Sequence, residues 1–187
     1  MLLGAPGSGK GTQSAALARH YDIPHISSGE LLRSHVARRT RLGDRIRASL
    51  ERGDLVPDAL VLEVVGDSLS TSATEAGYVL DGFPRTVAQA KQAFIAAQGA
   101  GVTADAVISL DLPDNTARDR LAARAQSGRP DDASPAAVER RLEVFRFETG
   151  PLLDYYRERG ILLTIDAAPT EPTVTLAILE ALTDREL

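Results

Sequence analysis

The chain opens MLLGAPGSGKGT, residues 1–12, and the reading of this stretch decides the fold. Gly4, Gly9 and Lys10 stand at the spacing of the phosphate-binding pattern G-x-x-x-x-G-K-[ST], with one departure. Gly11 occupies the hydroxyl position and Thr12 follows it. Glycines at 4, 7, 9 and 11 let successive backbone N–H groups turn inward around phosphate oxygens. A helix opening behind the loop adds the partial positive charge of its N-terminus. Lys10 then brings an ammonium beside the β and γ phosphates of a nucleotide. The departure removes the hydroxyl that ligands Mg2+ directly in many such loops, which leaves metal contact to Thr12 or to water. Only Met1, Leu2 and Leu3 precede the loop, so this first strand must be held by neighbours on both sides. A version extended at its N-terminus is expected to be more stable, as it would be if the start codon were misassigned.

Outward from the loop, short apolar runs alternate with amphipathic segments of helical length. Expected strands are Met1–Leu3, Pro24–Ile26, Tyr78–Leu80, Val107–Leu112 and Ile161–Ile165, apolar on both sides as in parallel strands buried on both faces. Expected helices are Lys10–His20, Leu31–Arg39, Leu42–Arg52, Ala59–Leu69, Val87–Gln98, Thr116–Arg124, Pro135–Arg159 and Pro172–Leu182. Asp58, Thr86 and Ser134 are suitable N-caps, the last before a proline. Gly53, Gly99 and Gly160 stand where helices should stop. The alternation predicts an α/β fold, a parallel sheet flanked by helices with right-handed crossovers.

Two stretches break the rhythm. Residues 27–56 hold two helices without a strand between them, which predicts a helical insert. Residues 124–134, RAQSGRPDDAS, form a polar, arginine-bearing run suited to a short lid. The rest, 1–26, 57–123 and 135–187, forms the core of a single domain.

The second chemical motif is YVLDGFPRT, residues 78–86. An acid at the end of an apolar strand, here Asp81, is suited to orient Mg2+ and its waters. Gly82 permits close backbone approach, and Arg85 offers a planar fork for a phosphate. Gln89, one turn beyond Thr86, has an amide able to read a base edge. Taken singly, each residue also fits a strand end, a turn or a helix surface.

Composition narrows the function. The 187 residues carry a net charge of -5 and 43% apolar residues, which fits one globular domain and gives no reason to expect nucleic-acid binding. There is no cysteine, so a thiolate zinc site is not expected. No long apolar run or signal peptide is present, so a cytoplasmic protein without a membrane partner is expected. Nineteen arginines stand against two lysines, Lys10 and Lys91, which makes a lysine inside the glycine loop the more informative.

GAPGSGKGTQ, ISSGELLR, GDLVPD, DGFPRT and the pair ERRLEVF with TGPLLDYYRERG resemble the adenylate kinases, over residues 1 to about 166. The resemblance implies a five-stranded parallel core with an AMP-binding insert and a short, bacterial-type lid. It implies reversible transfer of the terminal phosphoryl group of MgATP to AMP, giving two ADP. Residue by residue, it implies that Gly7, Ser8, Gly9, Lys10, Gly11 and Thr12 wrap the ATP phosphates. Arg120 would stack on the ATP adenine, Arg124 would touch its phosphates, and Pro169 would contact its base through a backbone carbonyl. On the acceptor side, Ser28 falls where the family usually has threonine, and Arg33 and Arg85 would grip the AMP phosphate. Asp54, Leu55 and Val56 would line its base and ribose, beside Gly82, Phe83 and Pro84, and Gln89 would read adenine. Arg129 and Arg141, with Asp131 and Asp132, complete the lid pattern. Counting from Asp132 selects Arg140 for the last phosphate contact, whereas counting back from Thr149 selects Arg141. The latter is preferred, because its anchor is a rigid helix.

Gathering the phosphates of two nucleotides demands this much positive charge, and an arginine set on two mobile inserts also excludes water. For Arg120, Arg124, Arg140 and Arg141 the competing expectation is a solvated helix face paired with Asp119, Glu139 and Glu143. The neighbouring functions are a UMP/CMP kinase and a nucleotide-binding regulator without turnover. Monomeric behaviour is expected.

Overall fold

A computed structural model describes residues 1–72, 77–126 and 134–185. Among them, five parallel strands form one sheet in the order β2-β3-β1-β4-β5. These are β1 (Leu2–Gly4), β2 (His25–Ser27), β3 (Val79–Asp81), β4 (Val107–Asp111) and β5 (Leu162–Asp166). The short first strand is central. Leu2 lies beside Asp81 of β3 and Ile108 of β4, and Gly4 beside Leu110. The Met1 amine donates to the Ala106 carbonyl at 2.8 Å, and Ile108 N–H donates to the Met1 carbonyl at 2.8 Å. Leu2 and Leu3 are 1% and 3% exposed and enter different core clusters. Burial of each contributes about 1.5–3 kcal/mol, so three residues suffice where both faces and both edges are covered.

The helices are α1 (Lys10–Tyr21), α2 (Ser28–Ala37), α3 (Arg41–Arg52), α4 (Asp58–Ser72), α5 (Val87–Ala100), α6 (Asp114–Gln126), α7 (Pro135–Val144), α8 (Gly150–Glu158) and α9 (Glu171–Thr183). Leu17 of α1, Leu121 of α6, Leu142 of α7 and Ile178 of α9 share a cluster with Leu2, Ile108 and Leu110. Ala90 of α5 and Leu152, Tyr155 and Tyr156 of α8 cluster with Leu3 and Val107. A third cluster joins Leu32 of α2, Ile46 of α3 and Val61 and Val65 of α4 to Ile26 and Leu80. The two helices between β2 and α4 therefore pack on a cluster shared with α4 and the β2–β3 side of the sheet.

Several boundaries correct the sequence reading. All the strands but β4 lie one residue further along than expected. Helix α2 begins at Ser28, directly after β2, rather than at Leu31. Gly101, with φ 72°, stops α5, and Gly99 lies inside it. Thr86 and Ser134 do cap, accepting from Gln89 and Ala137 N–H. Asp58 does not: it is the first residue of α4, and its carboxylate is engaged elsewhere. The single helix expected over Pro135–Arg159 is broken by a π-helical turn at Phe145–Thr149. Pro151 has no N–H to give the Phe147 carbonyl, and Gly150 N–H reaches back to Phe145 instead. Of the expected lid, 127–133 lies outside the described residues, and with it Arg129, Asp131 and Asp132.

Candidate active site

The C-terminal ends of β1 and β3 point at one cleft, of about 470 Å³, where the two chemical motifs meet. From the first loop it is lined by Gly7, Gly9, Lys10, Gly11 and Thr12, and from the second by Asp81, Gly82, Pro84 and Arg85. Arg33 of α2 and Leu55 close it from the insert side, and Arg124 and Arg141 from α6 and α7. Among the described residues the lining thus carries Lys10, Arg33, Arg85, Arg124 and Arg141 against Glu30 and Asp81. Such an excess of positive charge suits a polyanion. A neighbouring depression of about 270 Å³ adds Ser8, Gln13, Arg120 and Pro169 to Gly7, Gly9, Thr12 and Arg124.

The first loop is shaped from within. Gly9 precedes α1 with φ 91°, a backbone conformation that a side chain would strain. Lys10 Nζ donates to the carbonyls of Gly4 and Ala5 at 2.8 and 2.9 Å. Desolvation, with further lowering by Arg85, Arg141 and Arg124, outweighs the attraction of Asp81 and brings Lys10 down to about 7. Asp81 moves the other way from what burial dictates. Burial raises its pKa, but the hydrogen bond from His25, the Lys10 charge and a hydrogen bond from Ser27 together hold it below the ordinary carboxylate value. His25 Nε2 lies 2.9 Å from Asp81 Oδ2. Neither His25 nor Ser27 was singled out by sequence.

Arg85 is fixed at three points. Its Nε donates to the Gly82 carbonyl at 2.8 Å, its backbone N–H donates to Gln89 Oε1 at 2.7 Å, and its carbonyl accepts from Thr149 Oγ1 at 3.0 Å. Thr149 closes the π-helical turn, a feature frequent at functional sites. The quoted TGPLLDYYRERG contains it, but nothing local marks a hydroxyl as the partner of a carbonyl 64 residues away. Arg120 binds the carbonyls of Ala167 and Ala168 at 2.8 and 3.0 Å. Both bonds use the N–H edge of the planar guanidinium.

Among the described residues, five of those expected line neither the cleft nor the depression beside it. Val56 and Phe83 are buried in the insert's cluster, and Gln89 is 1% exposed. Ser28 is 1% exposed, and its Oγ has no hydrogen-bond partner among the described residues. A Cβ on Gly82, φ 75°, would sit 2.7 Å from that oxygen, so glycine is needed there to pack against α2. Asp54 instead accepts from Arg52 at 2.9 Å and from Arg140 at 3.0 Å. Arg140 also donates to Glu143 at 2.7 Å. This side chain has the paired surface position that was the competing expectation for the arginine set, whereas Arg141 lines the cleft.

The family model for adenylate kinase matches residues 2–161. The chain belongs to the adenylate kinase family. It is 41% identical over 183 residues to the adenylate kinase of Trichodesmium erythraeum, covering 95% of this chain and 94% of that one. It is 42% identical over 175 residues to adenylate kinase 1 of a Nostoc species, covering 94% and 93%. With an adenylate kinase of Xylella fastidiosa it shares 40% identity over 182 residues, 97% of each chain. The chain is accordingly a nucleoside monophosphate kinase, a phosphotransferase of the ATP- and AMP-using kind, and its cleft is where that chemistry is to be sought. No helix among the described residues is long and apolar enough to cross a membrane.

Proposed function

We propose that the cleft carries the reversible reaction ATP + AMP to two ADP, with the first loop as donor side and the β3 end with α2 as acceptor side. One observation carries this assignment: Lys10, Arg33, Arg85, Arg124 and Arg141, from five separate segments, line a single cavity. In the forward direction an α-phosphate oxygen of AMP bonds to the γ phosphorus of ATP, and the bond to the β–γ bridging oxygen breaks. The attacking oxygen is already ionised, so no general base is required. What the protein supplies is alignment and neutralisation of charge. Gly7 to Thr12 and Lys10 hold the ATP phosphates, Arg124 and Arg141 the transferring group, and Arg33 and Arg85 the AMP phosphate. Arg120 and Pro169 take the ATP base; Ser28, Asp54, Leu55, Val56 and Gln89 serve the AMP nucleoside, with Gly82, Phe83 and Pro84 shaping its site. Arg129, in the segment 124–134 read as the lid, is assigned to the transferring group, and residues 27–56 are assigned as the AMP-binding insert.

Mg2+ arriving with ATP would supply charge that offsets its phosphates. Among the described residues no cluster of three or more His, Asp or Glu could cage a metal. One carboxylate held ionised, Asp81, fits a cation that keeps most of its waters and takes its other ligands from phosphate. Asp81 would orient those waters. The setting we propose is a cytoplasmic monomer whose partners are ATP, AMP and ADP, without nucleic acid or membrane.

A panel of nucleoside monophosphates offered with MgATP tests the assignment. ADP should form from AMP far faster than from UMP or CMP, and preference for a pyrimidine nucleotide would overturn it. The bisubstrate mimic diadenosine pentaphosphate at a hundred times its Kd should raise the melting temperature by roughly 5–10 °C. No stabilisation would favour a regulator without a two-nucleotide site.

Lys10 allows a second test. A triphosphate set beside its ammonium favours the charged form, so ATP binding should draw a proton from solution wherever free Lys10 is neutral, above about pH 7. Titration calorimetry in buffers of differing ionisation enthalpy should show uptake growing toward one proton per ATP at pH 8.5 and vanishing near pH 5.5. A pH-independent proton count would contradict this.

A further inference from the structure

We propose that Asp58 is the positioning residue that sets the adenine specificity of the acceptor site, by fixing which way the Gln89 amide faces. The inference rests on the reading of Gln89 as the group that meets the AMP base. Gln89 sits in the first turn of α5, is 1% exposed, and has both ends of its amide engaged. Its Oε1 accepts the backbone N–H of Arg85 at 2.7 Å, and its Nε2 donates to Asp58 Oδ1 at 2.6 Å, across 31 residues. A backbone N–H only donates and a carboxylate only accepts, so the two partners jointly forbid the flipped amide. Turned over, it would set oxygen against carboxylate and NH2 against N–H.

The consequence for recognition follows from counting. A primary amide has two N–H donors and two acceptor lone pairs. With one of each engaged, Gln89 keeps one donor and one acceptor, in a fixed sense. The 6-amino edge of adenine offers the complement, an acceptor at N1 and a donor at N6. The 6-oxo edge of hypoxanthine offers the reverse, a donor at N1 and an acceptor at O6, which a flipped Gln89 would suit. Asp58 comes at the end of GDLVPD, and its sequence context suggests a helix cap. In the structure it spends its carboxylate on Gln89.

Asp58→Asn tests this, because asparagine keeps size and helix-start chemistry but both donates and accepts, which leaves the Arg85 N–H as the one of the two partners still opposing a flipped Gln89. The ratio of kcat/KM for AMP over inosine monophosphate should fall by about tenfold or more. The fall should come mainly through a lowered KM for inosine monophosphate, with KM for ATP and kcat at saturating AMP within about twofold of the parent. Asp58→Glu, still acceptor-only, should restore part of the ratio. Gln89→Leu should collapse the same ratio, and adding Asp58→Asn to it should change the ratio no further. An unaltered ratio in folded Asp58→Asn, beside a collapsed one in Gln89→Leu, overturns the role of Asp58 alone. An unaltered ratio in Gln89→Leu overturns the reading of Gln89 beneath it. A uniform loss for both substrates in Asp58→Asn, with a lowered melting temperature, would make Asp58 a stabilising residue only and also overturns the proposal.

Discussion

Lys10→Met is expected to lower kcat by about a thousandfold while leaving the protein at least as stable as the parent at pH 6–7. Methionine keeps most of the stem and removes the ammonium. The activity loss follows from the proposed role, in which the Lys10 charge accompanies the transferring phosphoryl group. The stability half follows from the sign of the pKa shift. Folding lowers Lys10 from 10.5 to about 7, so between those values the unfolded chain binds a proton that the folded one does not. This group's contribution to stability therefore rises with pH across that window. The parent should gain stability from pH 7 towards pH 10, by thermal or urea unfolding, and Lys10→Met should show a flatter profile. The loop thus holds an amine whose charged form is disfavoured despite Asp81 and is favoured again by bound phosphate, a local trade of stability for function. A variant with kcat within fivefold of the parent would remove Lys10 from the reaction, whatever its stability.

The second large contrast is between neighbours. Arg141→Ala should cut kcat by about a hundred- to a thousandfold, and Arg140→Ala should leave kcat within about threefold. Both sit on α7, but consecutive helical residues point about 100° apart. Arg141 faces the cleft with Arg124, Arg85 and Lys10. Its stem packs near Gly53, where an added Cβ would meet Arg141 Cγ at 2.8 Å. Arg140 faces Asp54 and Glu143 in exposed pairs, where solvent screening leaves an ion pair little net worth. Steady-state kinetics with both nucleotides varied decides the matter. A large loss in Arg140→Ala beside a mild one in Arg141→Ala would exchange their roles. Lysine should not rescue Arg141 fully, because an ammonium cannot make the planar, two-pronged contact of a guanidinium with phosphate.

Much of the site was legible because its chemistry is local in the chain. The glycine spacing of residues 4–11 and the acid at the end of a buried strand each state their purpose within about ten residues. The loop and helix geometry they require is short-ranged. Strand–helix alternation likewise determined the layered fold, since apolar runs with polar-faced helices between them have few ways to bury their surfaces. Even the three-residue β1 was readable as a strand that needs neighbours on both sides, and Asp81 and Ile108 are found there.

What remained for the tertiary structure was the choice of partner among groups distant in sequence. Asp58 has the sequence of a cap, and only the approach of α5 turns its carboxylate to Gln89. Thr149 resembles any helix threonine until the π-helical turn brings its hydroxyl to the Arg85 carbonyl. Arg140 and Arg141 are chemically identical, and the insert brings Asp54 against Arg140 on α7 while Arg141 lines the cleft. Sequence thus determined which residue types are proposed to carry the chemistry and which elements hold them. The tertiary structure decided which side chain points where, because hydrogen bonds across 31, 64 or 86 residues depend on how packed elements meet, and no local pattern encodes that.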